Sequence, residues 1–204
     1  MAQTFAANPE YLHLGGAGGA TLYGCDQDWF QGFWQRKAGC GACTLANMML
    51  YLARAGKVAR QFSIADAQGM LPLMEETWGY VTPGMMGLNS TARFAQGANR
   101  LLEDAGSKLR ATALDIEKSA PQADSTREAA LMIESGLREA PVAFLSLLRH
   151  QLGDLEPWHW VTVVGLSRKD QDAILHIYDN GSRFDQSLAG WLDAGGSGGF
   201  VSLG

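Results

Sequence analysis

Apolar positions recur at helical spacing through the first two-thirds of the chain and gather into short strand-like runs in the last third. After Cys40, the residues Leu45, Met48, Met49 and Leu52 fall at i, i+3, i+4 and i+7, one face of a helix that Gly56 closes. Phe94, Ala98, Leu101, Leu102 and Ala105 make a second stripe ending at Gly106. Ser63 with Asp66, and Ser125 with Glu128, read as capping boxes. The first opens a short helix ahead of Pro72, the second a helix over roughly 126–138. Beyond Pro141 the runs PVAFLSLL (141–148), WVTVVGLS (160–167) and AILHIYD (173–179) predict strands, with GFVSL (199–203) a weaker fourth. The stretch up to about residue 35 reads as irregular. It carries Gly15, Gly16, Gly18 and Gly19, then the aromatics Trp29, Phe30, Phe33 and Trp34, which suit a loop anchored to the body of the protein.

This pattern predicts an α+β fold, a helical layer against a mostly antiparallel sheet. A single domain is expected, with an irregular segment over 1–34, a mainly helical lobe over 35–139 and a sheet lobe over 140–204. Its 204 residues suffice for a sizeable core. The net charge of −5, with cations scattered, gives no basic stripe for nucleic acid. No apolar run is long enough to enter a bilayer as a spanning helix, and the first residues lack a basic start and apolar middle, so a cytoplasmic location is expected.

Three cysteines, Cys25, Cys40 and Cys43, are too few for a disulfide scaffold and lack the histidine spacing of a thiolate zinc site. That leaves buried thiols, a C-x-x-C redox pair or a nucleophile. Cys40 lies between two glycines where a loop becomes an amphipathic helix, and free N–H groups there favour a thiolate. Gly39 and Gly41 suggest room for a substrate backbone. Gln35 can aim its amide at the same space and hold an oxyanion together with the Cys40 N–H. A thiol acyl-transfer site also needs an imidazole. His159 heads the apolar run Trp160-Val-Thr-Val-Val, and the next run ends in Tyr178-Asp179-Asn180-Gly181, where an acid or amide can fix the imidazole tautomer.

Cys40-Gly-x-x-x-Leu-Ala-Asn opening a helix, His159-Trp-Val-Thr-Val-Val-Gly and Asp179-Asn-Gly together resemble the papain-like cysteine peptidases, within them the bacterial group that includes the double-glycine leader peptidases. The resemblance spans about residues 35–181 and rests on some fifteen positions. It implies two lobes with a cleft between them and a peptide or protein substrate, with no metal or organic cofactor. It makes Cys40 the nucleophile, His159 the general acid/base, Asp179 the orienting residue and Gln35 the oxyanion donor. Ala42 stands where proline is common, and Gln35 lies closer to the cysteine than in many relatives. The long interval from His159 to Asp179 implies an extended hairpin around 168–172, and Asn180 is an alternative to Asp179.

Other readings of the same residues stand beside this one. Acyl transfer to an amine uses the same groups, and a catalytically silent binding module keeps them without turnover. Cys43, one turn after Cys40, reads as inward-facing but remains a second candidate thiol, while Cys25 reads as structural. Cys40-Gly-Ala-Cys43 also has the spacing of a thioredoxin-type dithiol, with Thr82-Pro83 downstream, although that arrangement needs a strand directly before the motif. His13, His150 and His176 read as non-catalytic. The Gly15-Gly16 pair reads as a flexible loop rather than a self-cleavage site.

Overall fold

The computed structural model describes residues 3–117, 122–169 and 172–204. Its centre is α2 (Cys40–Arg54), which follows α1 (Phe33–Ala38) directly through Gly39. The spacing of Leu45, Met48, Met49 and Leu52 predicts one buried face. Every residue from Gly41 to Ala53 is in fact buried, because α2 is enclosed by neighbours on several sides. Next comes α3 (Ala67–Tyr80), capped by Asp66, whose carboxylate accepts the Gly69 N–H at 2.9 Å. Ser63 is therefore not the cap. Pro72 does not end this helix: it lies in its second turn, where only the bond to the Gln68 carbonyl is lost. Ser90 caps α4 (Thr91–Asp104), and Phe94, Ala98, Leu101 and Leu102 are buried along it as the stripe predicts.

Seven strands form the main sheet. They are β1 (Gln3–Phe5), β4 (Ala111–Ile116), β5 (Val142–Ser146), β6 (His159–Lys169), β7 (Asp172–Asp179), β8 (Ser182–Ser187) and β9 (Gly198–Leu203). The order is β4-β9-β5-β6-β7-β8, with β1 paired to the far half of β6, and every pairing is antiparallel. The N-terminal helices pack on this sheet, α2 against β5 and β6 and α4 against β4 and β9, while α5 (Gln122–Gly136) packs on β9. β5 is buried along its whole length, so both faces of the sheet's middle are covered. Helices and sheet share one hydrophobic core.

Residues 57–139 are not all helical: β4 lies among them as an edge strand, its start pinned by Asn99, which accepts the Ala111 N–H at 2.8 Å and donates to the Ala111 carbonyl at 3.1 Å. The weak strand after residue 198 sits inside the sheet. Gly198 and Gly199 are needed at its start because a Cβ would lie 2.2 Å from the Leu145 carbonyl oxygen and 2.0 Å from that of Leu114. The N-terminal segment is not wholly irregular either. It holds β1, a small sheet of β2 (His13–Gly15) and β3 (Thr21–Tyr23), and helical turns. Gly15 belongs to that small sheet and donates to the Ala65 carbonyl at 2.7 Å, so the double glycine is part of a tethered hairpin. Helix α5 begins at Gln122, which places Ser125 inside it rather than at its cap. β6 and β7 form the extended hairpin expected around 168–172, with residues 170–171 outside the described chain. Among the described residues no helix is long and apolar enough to cross a membrane.

Candidate active site

Cys40 occupies the first turn of α2, and no side chain caps that helix end. Its own N–H is therefore among the donors a helix start leaves without an intrahelical partner. The helix is held in register with the sheet by Asn47, two turns further on. Its amide donates to the Thr162 hydroxyl on β6 at 3.0 Å and accepts the Cys25 N–H at 3.0 Å, all within the buried interior. This contact fixes the tip of α2 relative to the start of β6, where His159 stands.

His159 is buried, with its Nε2 at 2.9 and 3.0 Å from the two oxygens of Asp179. Cys40 is near enough for its thiol to act on the imidazole. Burial by itself lowers the imidazole pKa. The bond to Asp179 and the influence of Cys40 outweigh it, and the pKa is carried well above the ordinary histidine value. Asp179 ends β7, and Asn180 and Gly181 form the two-residue turn into β8, with φ of 45° and 71°. Asn180 points elsewhere, its Oδ1 accepting the Gln27 N–H at 3.5 Å. Of the two alternatives, Asp179 is the one against the imidazole.

Gln35 departs from its expected role. Because α1 begins at Phe33, Gln35 sits in that helix's first turn and folds back, its Oε1 accepting the Gly32 N–H at 3.2 Å. Its Nε2 donates to Glu75 at 2.5 Å. Both ends of the amide are engaged in capping α1 and tying it to α3, so Gln35 is not turned toward Cys40 as an oxyanion donor. The flanking glycines also serve a different purpose from the expected one. A Cβ on Gly39 would lie 2.3 Å from the Gln35 carbonyl oxygen and 2.7 Å from the Phe30 ring, and one on Gly41 would lie 2.7 Å from the Leu88 side chain. They permit close packing behind the cysteine rather than access for a substrate. Gly39→Ala should lower stability: helix propensity gains at most about 1 kcal/mol, whereas overpacking costs about 1–3 kcal/mol. A drop in the urea midpoint, with slower alkylation of Cys40, is the expected measurement.

The remaining thiols are interior. The Cys25 thiol donates to the Cys43 carbonyl at 3.2 Å, and neither thiol is in a disulfide. Burial first, then Cys25, and then the nearby Cys40 and Asp179, push the Cys43 thiol well up. Two groups near the triad carry no signal in the pattern of the sequence. The Glu156 carboxylate lies 4.0 Å from His159 Nδ1, and Gln27 has a buried Oε1 without a partner among the described residues. Asp26, beside Gln27, has its pKa raised by burial, against the Asp28 backbone N–H that its carboxylate accepts and with the charges of Asp28 and Asp179 adding to the rise.

The other histidines are placed apart. His13 Nε2 meets the Tyr178 hydroxyl at 3.2 Å, and His150 is exposed. His176 joins a cross-strand chain, with Nε2 at 2.6 Å from the Ser167 hydroxyl and Nδ1 at 2.7 Å from Asp185. Ser167 is only 4% exposed, and Phe5 stacks on the His176 ring.

No family model and no curated protein sequence matches the chain. Cys40 opens into a cleft of about 170 Å³ lined by Trp34, Lys37, Met86, Leu88, Asn89, Leu145, Leu147 and Trp158, among others. A thiol beside an imidazole that is itself bonded to a carboxylate can supply a nucleophile and a proton carrier at one point.

Proposed function

We propose that the protein is a papain-like thiol hydrolase that cleaves peptide or amide bonds, with Cys40 as nucleophile, His159 as acid and base, and Asp179 as the orienting carboxylate. The observation that carries this reading is the buried His159 imidazole bonded to the Asp179 carboxylate at 2.9 Å, with Cys40 acting on that imidazole and itself lining a cleft. The Cys40 sulfur adds to the carbonyl carbon, and the C=O π pair moves to oxygen, where the Cys40 N–H donates to it. Collapse of this adduct breaks the C–N bond, and the leaving amine takes its proton from the His159 imidazolium. Water then adds to the thioester carbon while giving a proton to His159, the C–S bond breaks, and the acid leaves with the thiolate and the imidazolium restored.

The redox alternative fits less well. A helix, α1, precedes the motif where a thioredoxin-type site needs a strand, and the buried Cys43 thiol is disfavoured as a thiolate. Cys40 is the least buried of the three thiols. At neutral pH, iodoacetamide should alkylate Cys40 at least about tenfold faster than free cysteine, since most of an ordinary thiol with pKa near 8.5 is protonated there. Peptide mass mapping after brief exposure checks this. Labelling no faster than free cysteine, or labelling confined to Cys43, would remove Cys40 as the nucleophile.

A further inference from the structure

Helix α4 buries the stripe that contains Phe94 and Leu101, and the face turned away from that stripe carries cations. Arg93, Gln96 and Arg100 fall at i, i+3 and i+7 and are all exposed, so they form one polar ridge. The ridge flanks a cavity of about 240 Å³ whose other wall is the end of α3 and the chain leaving it, Gly79 to Thr82. Both arginine heads are anchored to that wall. Arg100 donates to the Tyr80 carbonyl at 2.9 Å and Arg93 to the Thr82 carbonyl at 3.3 Å, each through Nη2. A guanidinium has five N–H donors, so each head keeps others for a ligand. Gly97 lets the walls come this close, since a Cβ there would lie 2.3 Å from the Tyr80 carbonyl oxygen.

No carboxylate lines the cavity, and among the described residues neither arginine is in a salt bridge. Glu103 and Asp104, at the far end of α4, do not line it either, and Asp104 is taken up by the Tyr80 hydroxyl at 2.6 Å. Two positioned guanidinium forks with the Gln96 amide between them match the planar, bidentate geometry of carboxylates.

The cavity adjoins the cysteine. Leu88 lines both it and the Cys40 cleft. The Leu88 side chain packs on Gly41 and its carbonyl accepts the Trp160 indole N–H at 2.5 Å, which holds it beside the start of α2. Lys37 adds a cation to the Cys40 cleft, whose lining also contains no carboxylate. A peptide seated at Cys40 and running past Leu88 therefore meets the ridge of α4. From Arg93 to Arg100 that ridge is about 10 Å long, the length of roughly three extended residues.

We propose that Arg93, Gln96 and Arg100 form a subsite for an acidic peptide segment and bind the carboxylates of a substrate whose scissile bond lies at Cys40. The subsite stands on its own geometry. That its occupant is a substrate rests on the thiol hydrolase reading, and the test separates the two.

The intact protein is treated with chloroacetyl peptides that carry one to four glycines followed by Glu-Glu, Gln-Gln or Lys-Lys, with iodoacetamide as the reference alkylator. Mass mapping follows the second-order rate at Cys40 at low ionic strength. At one spacer length at least, the Glu-Glu reagent should react about fivefold faster than the Gln-Gln reagent, the gain from two exposed ion pairs, and the Lys-Lys reagent slowest. A net charge of −5 opposes this order, so the overall field of the protein does not produce it. Added salt should shrink the preference. Gln96→Glu puts a like charge on the ridge without touching the bonds from the arginines to the carbonyls. It should abolish the preference and leave the iodoacetamide rate unchanged, and the double variant Arg93→Gln, Arg100→Gln should do the same. Equal Glu-Glu and Gln-Gln rates at every spacer length, or a preference that persists in Gln96→Glu, overturns the subsite and leaves the hydrolase reading standing. Iodoacetamide labelling no faster than free cysteine defeats the hydrolase reading, while the ratio of Glu-Glu to Gln-Gln rates still decides the subsite.

Discussion

Cys40→Ala should abolish peptide turnover, a fall of about 10⁴-fold or more, while leaving the fold intact. The sulfur lies at the wall of the cleft and contributes little to the core, and alanine suits the first turn of a helix. Circular dichroism and a thermal midpoint close to wild type, together with no measurable peptide cleavage, are the expected results. Cys43→Ala provides the contrast. It removes a buried thiol beside Cys25, so it should lower stability by about 1 kcal/mol and leave turnover within a few-fold. Turnover retained in Cys40→Ala and lost in Cys43→Ala would reverse the assignment of the two thiols.

Asp179→Asn should lower kcat/KM by about 10²–10⁴-fold and change its pH dependence. In the wild type the carboxylate at 2.9 Å and the Cys40 thiol hold the imidazole pKa well above the ordinary 6.5, against the pull of burial. The folded protein therefore keeps the His159 proton at pH values where the unfolded chain has lost it. That contribution to stability is complete below about pH 6.5 and disappears as the pH rises through the elevated folded value. The imidazolium is also the species that protonates the leaving amine, so the alkaline limb of kcat/KM should lie well above neutrality in the wild type. In Asp179→Asn that limb should move down, and the loss of stability should be larger at pH 6 than at high pH. An alkaline limb that stays in place in the variant would show that Asp179 does not govern the imidazole.

The parts of this site that the sequence makes legible are those fixed by secondary structure alone. Cys40 is readable because a helix start offers free N–H groups, and His159 and Asp179 because each stands at the end of an apolar strand. Side chains whose direction depends on a neighbouring element are not readable in this way. Gln35 looks available only if residues 33–38 are taken as loop, and once α1 forms, its first turn claims the amide. Gly39 and Gly41 carry the composition of an open approach, whereas Phe30, Leu88 and the α1 backbone fill the space beside them. Glu156 belongs to no periodic pattern and reaches His159 from a loop.

The fold divides along the same line. The helical stripe of α4 and the alternation of β7 announce themselves by a buried face with its own period, and β5 and β6 as unbroken apolar runs buried on both faces. β4 and β8 lie at the two edges of the sheet, where half-exposed positions blur the alternation, and β8 is largely polar. β9 reads as only a weak strand for the opposite reason. It is so closely flanked that its first two positions admit only glycine, a residue that weakens a strand pattern.

The line of Ser167, His176 and Asp185 sets a limit on what interatomic distances can reveal. It reproduces the bonding order of a hydrolytic triad across β6, β7 and β8, with contacts of 2.6 and 2.7 Å. Yet Ser167 is buried, and Phe5 stacks on the imidazole, whereas Cys40 lines a cleft. Bonding order alone does not mark a reactive centre: an outside molecule must also be able to arrive at the nucleophilic atom.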